Sequence, residues 1–401
     1  MPQMRERVHL IALGLVLLAE LPILIPPPFG LTDHLVFWKA GQLVLTGGSP
    51  YDMANWIEAQ RAYDSGHLKL FVDLAAPVWV YPAWTAFLFA PFGWLPYPAG
   101  PWLLYLSYLA AGLFAAVLFA RSLPQRWHPG AQLAVVLVAM FQPLVIASRY
   151  GQFGAYLLLG LVLVFRGLHG RSPLAFAAGA LLLLSKPQLF IVVAPVVAVL
   201  LVRRRAWRTI GATTAILCMV VIVTTIRYPE SLAMFARGAT ERAAAFTIYS
   251  STWAFAQFFV GAWWPVAGGL LVAGAFLACA LSVRSLPADL RDAGLLASAA
   301  ILSLAITPVD FHYDQVPLVL AVVLAVAVGR RPYQIALTWA VALVIPWFVF
   351  FVELGLGGPD SQSLSGVVPL LMAPLLWVAA RSSPATMASS PAIANTPAKL
   401  K

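Results

Sequence analysis

The chain has 401 residues, of which 61% are hydrophobic and only 10% charged, and its mean hydropathy is +0.86. Because a soluble domain carries about 25% charged residues, this composition excludes an ordinary soluble protein and indicates an integral membrane protein. The net charge of +10 does not predict a nucleic-acid partner, since Lys and Arg lie at the ends of apolar runs, as they do in the cytoplasmic loops of membrane proteins.

Apolar runs long enough to cross a bilayer as helices, about 17–25 residues each, recur along the chain. Runs so long and continuous are not the strands of a barrel. We therefore predict an all-α fold, a polytopic membrane protein of about 12 transmembrane helices in one domain, 1–381. The predicted spans are 8–28, 76–96, 99–120, 131–148, 152–168, 173–202, 206–226, 263–283, 290–307, 314–329, 332–352 and 366–381. Residues 382–401 are small, polar and Pro-rich, and we predict a disordered tail.

The first apolar run, 8–28, has no small-residue cleavage site, so we predict a retained span rather than a signal peptide. The positive-inside rule places Arg5 and Arg7 in the cytoplasm, and 30–75 then forms a loop on the outer face of the cell (plasma) membrane. In this first outer loop we predict amphipathic interfacial helices, one over 31–45 that the sequence TGGSP stops, and one over 52–63.

Two topologies fit residues 76–202. In the first, every apolar run crosses once, which suits helix length but leaves four arginines outside, against the positive-inside tendency: Arg121, Arg126, Arg166 and Arg171. In the second, 76–120 crosses only once and has a re-entrant portion, while 173–202 is split at Lys186-Pro187 into two short helices. Charge favours the second topology, and helix length favours the first.

Asp33 is the first candidate for chemistry, because it follows the first span closely and is expected near the outer membrane surface. A carboxylate in such a partly dry setting can act as a general base. The alternative is structural, with Thr32 or Asp33 capping the helix that follows.

Lys186 is the second candidate, in the middle of the apolar sequence LLLLSKPQLF. An ammonium in that position costs several kcal/mol without a partner. A bound phosphate is one such partner, and an ion pair with Glu20 is the alternative.

The sequence TPVDFHYDQVP, 307–317, crowds Asp310, His312 and Asp314 into one loop. This spacing suits a metal site or an acid–base pair, but a loop between spans is also polar for solubility alone. In Tyr150-Gly151-Gln152, the Gln suits a sugar or a helix contact equally. Walker A, dinucleotide-binding, HExxH and GxSxG motifs are absent from the sequence.

Taken in order, five stretches resemble the motifs of glycosyltransferase family 87 (GT87), polyprenyl-phosphate-mannose-dependent mannosyltransferases of the GT-C class. These stretches are DHLVFWKAGQLVLTGGSPYD, YPAWTAFLFAPFGWLP, YGQFGAYLLLGLVL, LLLLSKPQLFIVVAPVVAVLLVRRRAWR and LAITPVDFHYDQVPLVL. Ala83 replaces the second Pro of the family's Tyr-Pro-Pro motif, and Phe311 stands where Trp is usual. His312 and Asp314 only approximate the paired His of the family.

The resemblance implies a GT-C-like bundle that transfers a hexose or pentose, above all mannose, with inversion. The donor is a polyprenyl-phosphate-linked sugar, and the acceptor is a hydroxyl of a glycolipid or glycan at the outer face. Asp33 is the implied base. The implied donor-phosphate ligands are Lys186, Lys39, Arg149 and His312, and the implied substrate-binding residues are Tyr51, Gln152, Gln188, Asp310 and Asp314.

We predict no cofactor and no metal ligands, and leave a divalent-cation requirement open; the expected partners are the donor, the acceptor and membrane lipids. Two other classes also fit the sequence, a secondary transporter or lipid flippase and a non-catalytic envelope-assembly subunit. The enzyme hypothesis requires that Asp33, Lys186 and the 310–314 cluster converge on one cavity that is open to both lipid and the outer face. Scattered positions would favour the structural subunit.

Overall fold

In a computed structural model, the described residues are Phe29, 32–63, 65–73, 77–245, 251–308, 311–329, 331–356 and 359–381. They fold entirely as helices, turns and connecting segments, and no strand occurs among them. The predicted all-α fold is therefore confirmed for this part of the chain. The predicted first span, 8–28, and the predicted tail, 382–401, lie outside the described residues.

The predicted first outer loop forms three helices, and the predicted stop is confirmed by a left-handed Gly47 that caps the first of them with φ +85°. These helices are α1 (Asp33–Thr46), α2 (Met53–Tyr63) and α3 (Gly66–Asp73).

Twelve helices follow up to residue 285, several of them short. They are α4 (Ala83–Leu88), α5 (Ala90–Gly93), α6 (Ala99–Ser122), α7 (His128–Ala139), α8 (Gln142–Tyr150), α9 (Gly154–Gly170), α10 (Pro173–Leu183), α11 (Val193–Arg203), α12 (Trp207–Arg227), α13 (Ser231–Ala245), α14 (Thr252–Val260) and α15 (Trp264–Ser285). The last part holds α16 (Arg291–Ile306), α17 (Val319–Val328), α18 (Pro332–Trp339), α19 (Ile345–Leu356) and α20 (Val367–Ala380), with 3₁₀ turns at His312–Leu318 and Pro359–Gly366.

Within the described residues, five helices are long and apolar enough to cross a membrane: Ala99–Ser122, Trp207–Arg227, Thr252–Ser285, Pro332–Leu356 and Ser363–Ala380. A sixth results if the pair Gln125–Ala139 and Gln142–Tyr150, bent by 45°, is one span. These helices make the chain an integral membrane protein. The predicted count of about 12 is not confirmed, because several apolar runs are broken into shorter helices.

The helix boundaries in 76–202 agree with the second topology. The run 76–96 contains only α4 and α5, of 6 and 4 residues, so α6 is the one helix of spanning length in 76–122. The run 173–202 is interrupted at Lys186, where α10 gives way to a 3₁₀ turn at Pro187–Phe190 before α11 begins. Proline at position 187 removes a backbone donor and stops the helix there.

The arginines that the two topologies treat differently lie together at one end of the bundle, which we call the arginine end. Arg126 forms an ion pair of 2.7 Å with Asp289, and Arg166 donates to Ser122. Arg204 contacts both His169 and Asp292. These contacts join the α6–α7, α9–α10, α11–α12 and α15–α16 turns.

Because α10 begins at the arginine end and α11 returns to it, the two half-helices form a hairpin with Lys186 near its tip.

Close helix packing supports this hairpin, because α10 and α9 cross at a pair of glycines. A Cβ atom on Gly179 would lie only 2.8 Å from the Val164 amide nitrogen, and one on Gly160 would lie 3.0 Å from the Gly179 carbonyl oxygen. Only the absence of a side chain lets the two backbones approach this closely.

We expect Gly179→Ala to lower the stability of the protein by about 1–3 kcal/mol, the usual cost of an added methyl group in a packed contact. The matched control is Gly274→Ala, where a Cβ meets nothing within 4 Å, so that helix propensity makes the change neutral or stabilising by up to about 1 kcal/mol. Thermal unfolding of the two variants in detergent measures the difference. Equal melting temperatures would contradict the packing argument.

Candidate active site

The Tyr150-Gly151-Gln152 turn packs directly against the start of α1. Gly151 ends α8 in the left-handed conformation, φ +75°, and a Cβ atom there would clash with the backbone nitrogen of His34 and lie 2.9 Å from the Asp33 carbonyl carbon. Any larger residue would therefore push α8 and α1 apart. A second glycine, Gly154, lets the same turn approach the Tyr313 carbonyl oxygen, 2.6 Å from its ideal Cβ position.

This turn brings Gln152 to Asp33. The Gln152 side-chain amide donates a hydrogen bond to Oδ2 of Asp33, across 119 residues of sequence. Gln152 is buried, whereas Asp33 at the first turn of α1 is half-buried. The amide thus fixes the orientation of a carboxylate that still reaches the surface of the protein.

His34, the neighbour of Asp33, is completely buried and remains neutral at neutral pH. Its Nδ1 is 2.9 Å from the Thr32 hydroxyl, and the rings of Phe29, Tyr105 and Tyr108 pack edge-on against it at 5.4–5.8 Å. Desolvation lowers the pKa of His34 to about 3, although the Asp33 charge favours the protonated form. Asp33 therefore has no imidazolium beside it.

Lys186 and Asp314 form a buried ion pair, with 2.7 Å between Nζ and Oδ1 and side chains that are 9% and 5% exposed. The Tyr313 ring lies 5.7 Å from the ammonium, and Asp33 and Tyr81 are within electrostatic range of it. The described structure thus gives Lys186 an internal carboxylate partner. Asp33 and Asp314 therefore both interact electrostatically with Lys186.

Hydrogen bonds on both sides hold the interrupted segment that carries Lys186. The Thr85 hydroxyl of α4 donates to the Ser185 hydroxyl at 3.0 Å, and the Thr307 hydroxyl donates to the Gln188 carbonyl at 3.0 Å. The backbone amides of Val192 and Val193 donate to the Ser303 hydroxyl. The unwound backbone around Pro187 is therefore satisfied by neighbouring elements, as the membrane interior requires.

Aromatic side chains join the first outer loop to the segment 79–81. The Tyr51 hydroxyl donates to the Tyr81 carbonyl at 2.8 Å, and the Tyr81 ring packs on Trp79 and Phe37 at 5.2 Å. Burial raises the pKa of Tyr51, so its hydroxyl keeps its proton. On the other side, the fully buried Tyr108 hydroxyl has no hydrogen-bond partner among the described residues.

Lys39 is the first of the other predicted site residues. Lys39 lies six residues along α1 from Asp33, about 9 Å at helical rise. It donates to Gln42, and burial lowers its pKa while Glu58 opposes that shift. Lys39 is thus oriented toward α2 rather than toward the ion pair.

Three further predicted residues lie nearer the cluster. Arg149 is half-buried in the last turn of α8, and His312 is buried with its ring 5.4 Å from that of Phe350. The Gln188 side chain is exposed. Asp310 lies outside the described residues. The roles assigned to these residues stay predictions.

The Gly47–Tyr51 turn has partners that the sequence did not indicate. Arg227 donates to the Gly47 carbonyl and the Tyr228 hydroxyl to the Gly48 carbonyl, both at 3.1 Å. The Ser49 hydroxyl donates to Glu230 at 2.7 Å. The end of α12 therefore holds the turn in place. These contacts span about 180 residues, and no local pattern in the sequence signals them.

Three further residues close to Asp33 were not identified from the sequence, for a similar reason. His34, Tyr81 and Tyr108 look like ordinary interfacial or core aromatics in the sequence, and only their distances to the Asp33 cluster set them apart. The position of Tyr81 next to Pro82 is the one available signal. For metals, the described residues contain no group of three or more His, Cys, Asp or Glu side chains arranged to hold an ion.

Residues 79–308 match the family model described as Glycosyltransferase family 87. Searches of curated proteins and of solved structures gave no match. The matched region contains Gln152 and Lys186 but not Asp33 or Asp314, so the contacts described above link the outlying carboxylates to the matched core.

We expect Lys186→Met to destabilise the protein by about 3–5 kcal/mol, because it leaves Asp314 as an uncompensated buried charge. The double variant Lys186→Met, Asp314→Leu should recover most of this loss. Thermal unfolding of Lys186→Met, of Asp314→Leu and of the double variant gives a double-mutant cycle. Additive losses would mean that the two side chains do not act as a pair.

Protonation of His34 should make the fold acid-sensitive. Its pKa is about 3 in the folded protein and about 6.5 in an unfolded chain, so the unfolded state binds the proton first and stability falls as pH drops from about 6.5 toward 3. His34→Gln should lose less stability over that range. Melting temperatures at pH 7.5 and 4.5 test this; an equal decrease in both proteins would contradict it.

Proposed function

Because the chain belongs to glycosyltransferase family 87 and is therefore a membrane glycosyltransferase, we propose that it uses a polyprenyl-phosphate-linked sugar as donor. The transferred sugar is a hexose or pentose, mannose above all. The acceptor is a hydroxyl group of a glycolipid or glycan at the outer face of the cell membrane, and the transfer inverts the anomeric centre.

The observation that supports this proposal is the junction of a half-buried carboxylate with a buried cation. Asp33 is oriented by Gln152, and its charge lies within electrostatic range of Lys186. A glycosyl phosphate needs both groups, a base for the incoming hydroxyl and a positive charge for the departing phosphate.

In the proposed reaction, Asp33 takes the proton of the acceptor hydroxyl as its oxygen forms a bond to the anomeric carbon. The bond from that carbon to the phosphate oxygen breaks, and its electron pair leaves with the polyprenyl phosphate. Attack opposite the leaving group inverts the centre. Because His34 is neutral, its imidazole adds no positive charge next to Asp33.

The departing phosphate gains negative charge that cations stabilise. An ammonium has three N–H donors, and the contact of Lys186 with Asp314 uses one of them. Arg149, in the last turn of α8, and His312 are the further candidates for this role. We do not include Lys39, because it is directed toward Gln42 and Glu58.

The distribution of charge supports an outer-face site. The arginine end fits the cytoplasmic side by the positive-inside rule. Arg126 precedes α7, whereas Asp33 lies against the end of α8, so the bent pair α7–α8 runs between them. A donor whose polyprenyl tail stays in the bilayer offers its sugar at headgroup depth. The first outer loop, α1 to α3, then covers the site from the aqueous side.

We also propose a GT-C-like bundle with more crossings than the five or six long helices. Three shorter segments run between the two ends: Gly154–Gly170, Arg291–Ile306 and His312–Val328. The first begins against Tyr313 and ends beside Arg204. The second begins beside Arg204 and ends near Gln188. At 16 or 17 residues, they are near the lower limit of about 17 for a span.

We expect Asp33→Asn to reduce sugar transfer by about 10²–10⁴-fold, the usual contribution of a general base. Purified protein in lipid nanodiscs is assayed with polyprenyl-phosphate mannose, other hexoses and pentoses, and a membrane glycolipid extract as acceptor. Asp52→Asn is the control, since Asp52 is exposed and caps α2, and it should keep full activity. Transfer by Asp33→Asn at the wild-type rate would exclude Asp33 as the base, and inactivity of the wild type with every donor would overturn the proposed donor class.

A further inference from the structure

Glu353, near the end of α19, is a buried carboxyl group that the proposed reaction does not use. Its side chain is 3% exposed within an apolar helix of spanning length. No ion pair joins it to a cation among the described residues. A carboxyl group in such a place is costly unless hydrogen bonds compensate for the lost water.

Those hydrogen bonds come from the segment Pro359–Gly366. The backbone N–H of Ser365 donates to Oε1 of Glu353 at 2.8 Å. The N–H of Leu364 and the Ser365 hydroxyl also donate to this carboxyl group. Three donors from two adjacent residues therefore converge on one side chain, which ties the connection between α19 and α20 to the end of α19.

The same segment holds the element that carries Asp314. The Gln315 side-chain amide donates to the Ser365 carbonyl at 3.0 Å, and Gln315 is completely buried. Gln315 directly follows Asp314, the partner of Lys186. A continuous chain of hydrogen bonds and one peptide linkage therefore leads from Glu353 to the buried ion pair.

A second contact from the same helix reaches the same element. The Phe350 ring lies 5.4 Å from the His312 ring, edge to face. Phe350 precedes Glu353 by three residues, so the two lie on one face of α19. Helix α19 thus supports His312–Leu318 in two ways, directly through the Phe350 ring and indirectly through the hydrogen bonds that join Glu353 to Ser365 and Ser365 to Gln315.

We propose that Glu353 is a positioning residue for sugar transfer: through Ser365 and Gln315 it fixes His312–Leu318 so that Asp314 meets Lys186 beside Asp33. This proposal rests on the proposed function. Glu353 itself does not touch the substrate, and the hydrogen bonds that it accepts need an oxygen acceptor rather than a negative charge.

That distinction defines the variants. Glu353→Gln keeps a carbonyl oxygen for the Ser365 N–H, whereas Glu353→Leu removes the acceptor at similar size. Leu354→Ala is the control, on the same helix turn but 63% exposed. Gln315→Leu breaks the second hydrogen bond of the same chain.

The first measurement needs no substrate. Hydrogen–deuterium exchange of the peptide over 311–318, in detergent-purified protein, should become about tenfold faster in Glu353→Leu, as expected when a buried donor loses its acceptor. Glu353→Gln and Leu354→Ala should exchange like the wild type. Unchanged exchange in Glu353→Leu would overturn the proposal whether or not any sugar donor is accepted.

The second measurement asks whether this order serves the reaction. With polyprenyl-phosphate mannose, Glu353→Leu should lower kcat about tenfold more than it alters the KM for the donor, and Glu353→Gln should restore kcat. Adding Gln315→Leu to Glu353→Leu should cause little further loss, because both act through Ser365. Faster exchange with full kcat in Glu353→Leu would reject the positioning role, while inactivity of the wild type would count against the donor class alone.

Discussion

The buried ion pair of Lys186 and Asp314 is the constraint on which the candidate site depends. Two charges in an apolar bundle carry a large desolvation cost, so their geometry and their neighbours must be well ordered. The surroundings meet that demand. Thr85 and Thr307 hold the broken segment around Lys186, and Gln315 holds the element of Asp314.

The ion pair also explains why the chain tolerates an interrupted helix at this depth. The hairpin of α10 and α11 brings Lys186 inward from the arginine end, and the Gly160–Gly179 contact keeps it against α9. The Tyr150–Gly154 turn, which begins α9, in turn contacts both Asp33 and Tyr313. Packing, the broken helix and the reactive groups therefore form one connected arrangement.

The helices and helix ends of this arrangement were easier to predict from the sequence than the contacts between them. Composition and apolar runs predicted an all-α membrane protein, and Gly47 and Pro187 marked real helix ends, because these features depend on neighbouring residues. The ordered motifs also predicted the family. The number of spans predicted from run length is not confirmed, because the described residues contain five or six long helices and a continuous apolar run does not reveal where tertiary contacts replace helical hydrogen bonds.

The sequence did not predict contacts between residues that are far apart in the chain. The described structure pairs Lys186 with Asp314, 128 residues away, which the sequence did not indicate; the expected phosphate stays a prediction, and Glu20 lies outside the described residues. Gln152 was expected to serve a sugar or a helix contact; its amide donates to Asp33, and a role toward a sugar stays a prediction. The helix breaks in 76–202 agree with the topology that loop charge favoured rather than with the one that run length favoured, because the length of a helix also depends on its packing.

The contacts of the Gly47–Tyr51 turn have a consequence for biogenesis. Arg227, Tyr228 and Glu230 enclose a turn made about 180 residues earlier. During synthesis from the N-terminus, the Gly47–Tyr51 turn lacks these partners until residues 227–230 have been made. The cluster of Asp33, Lys186 and Asp314 likewise becomes complete only once residue 314 has been made, after most of the polypeptide has been synthesised.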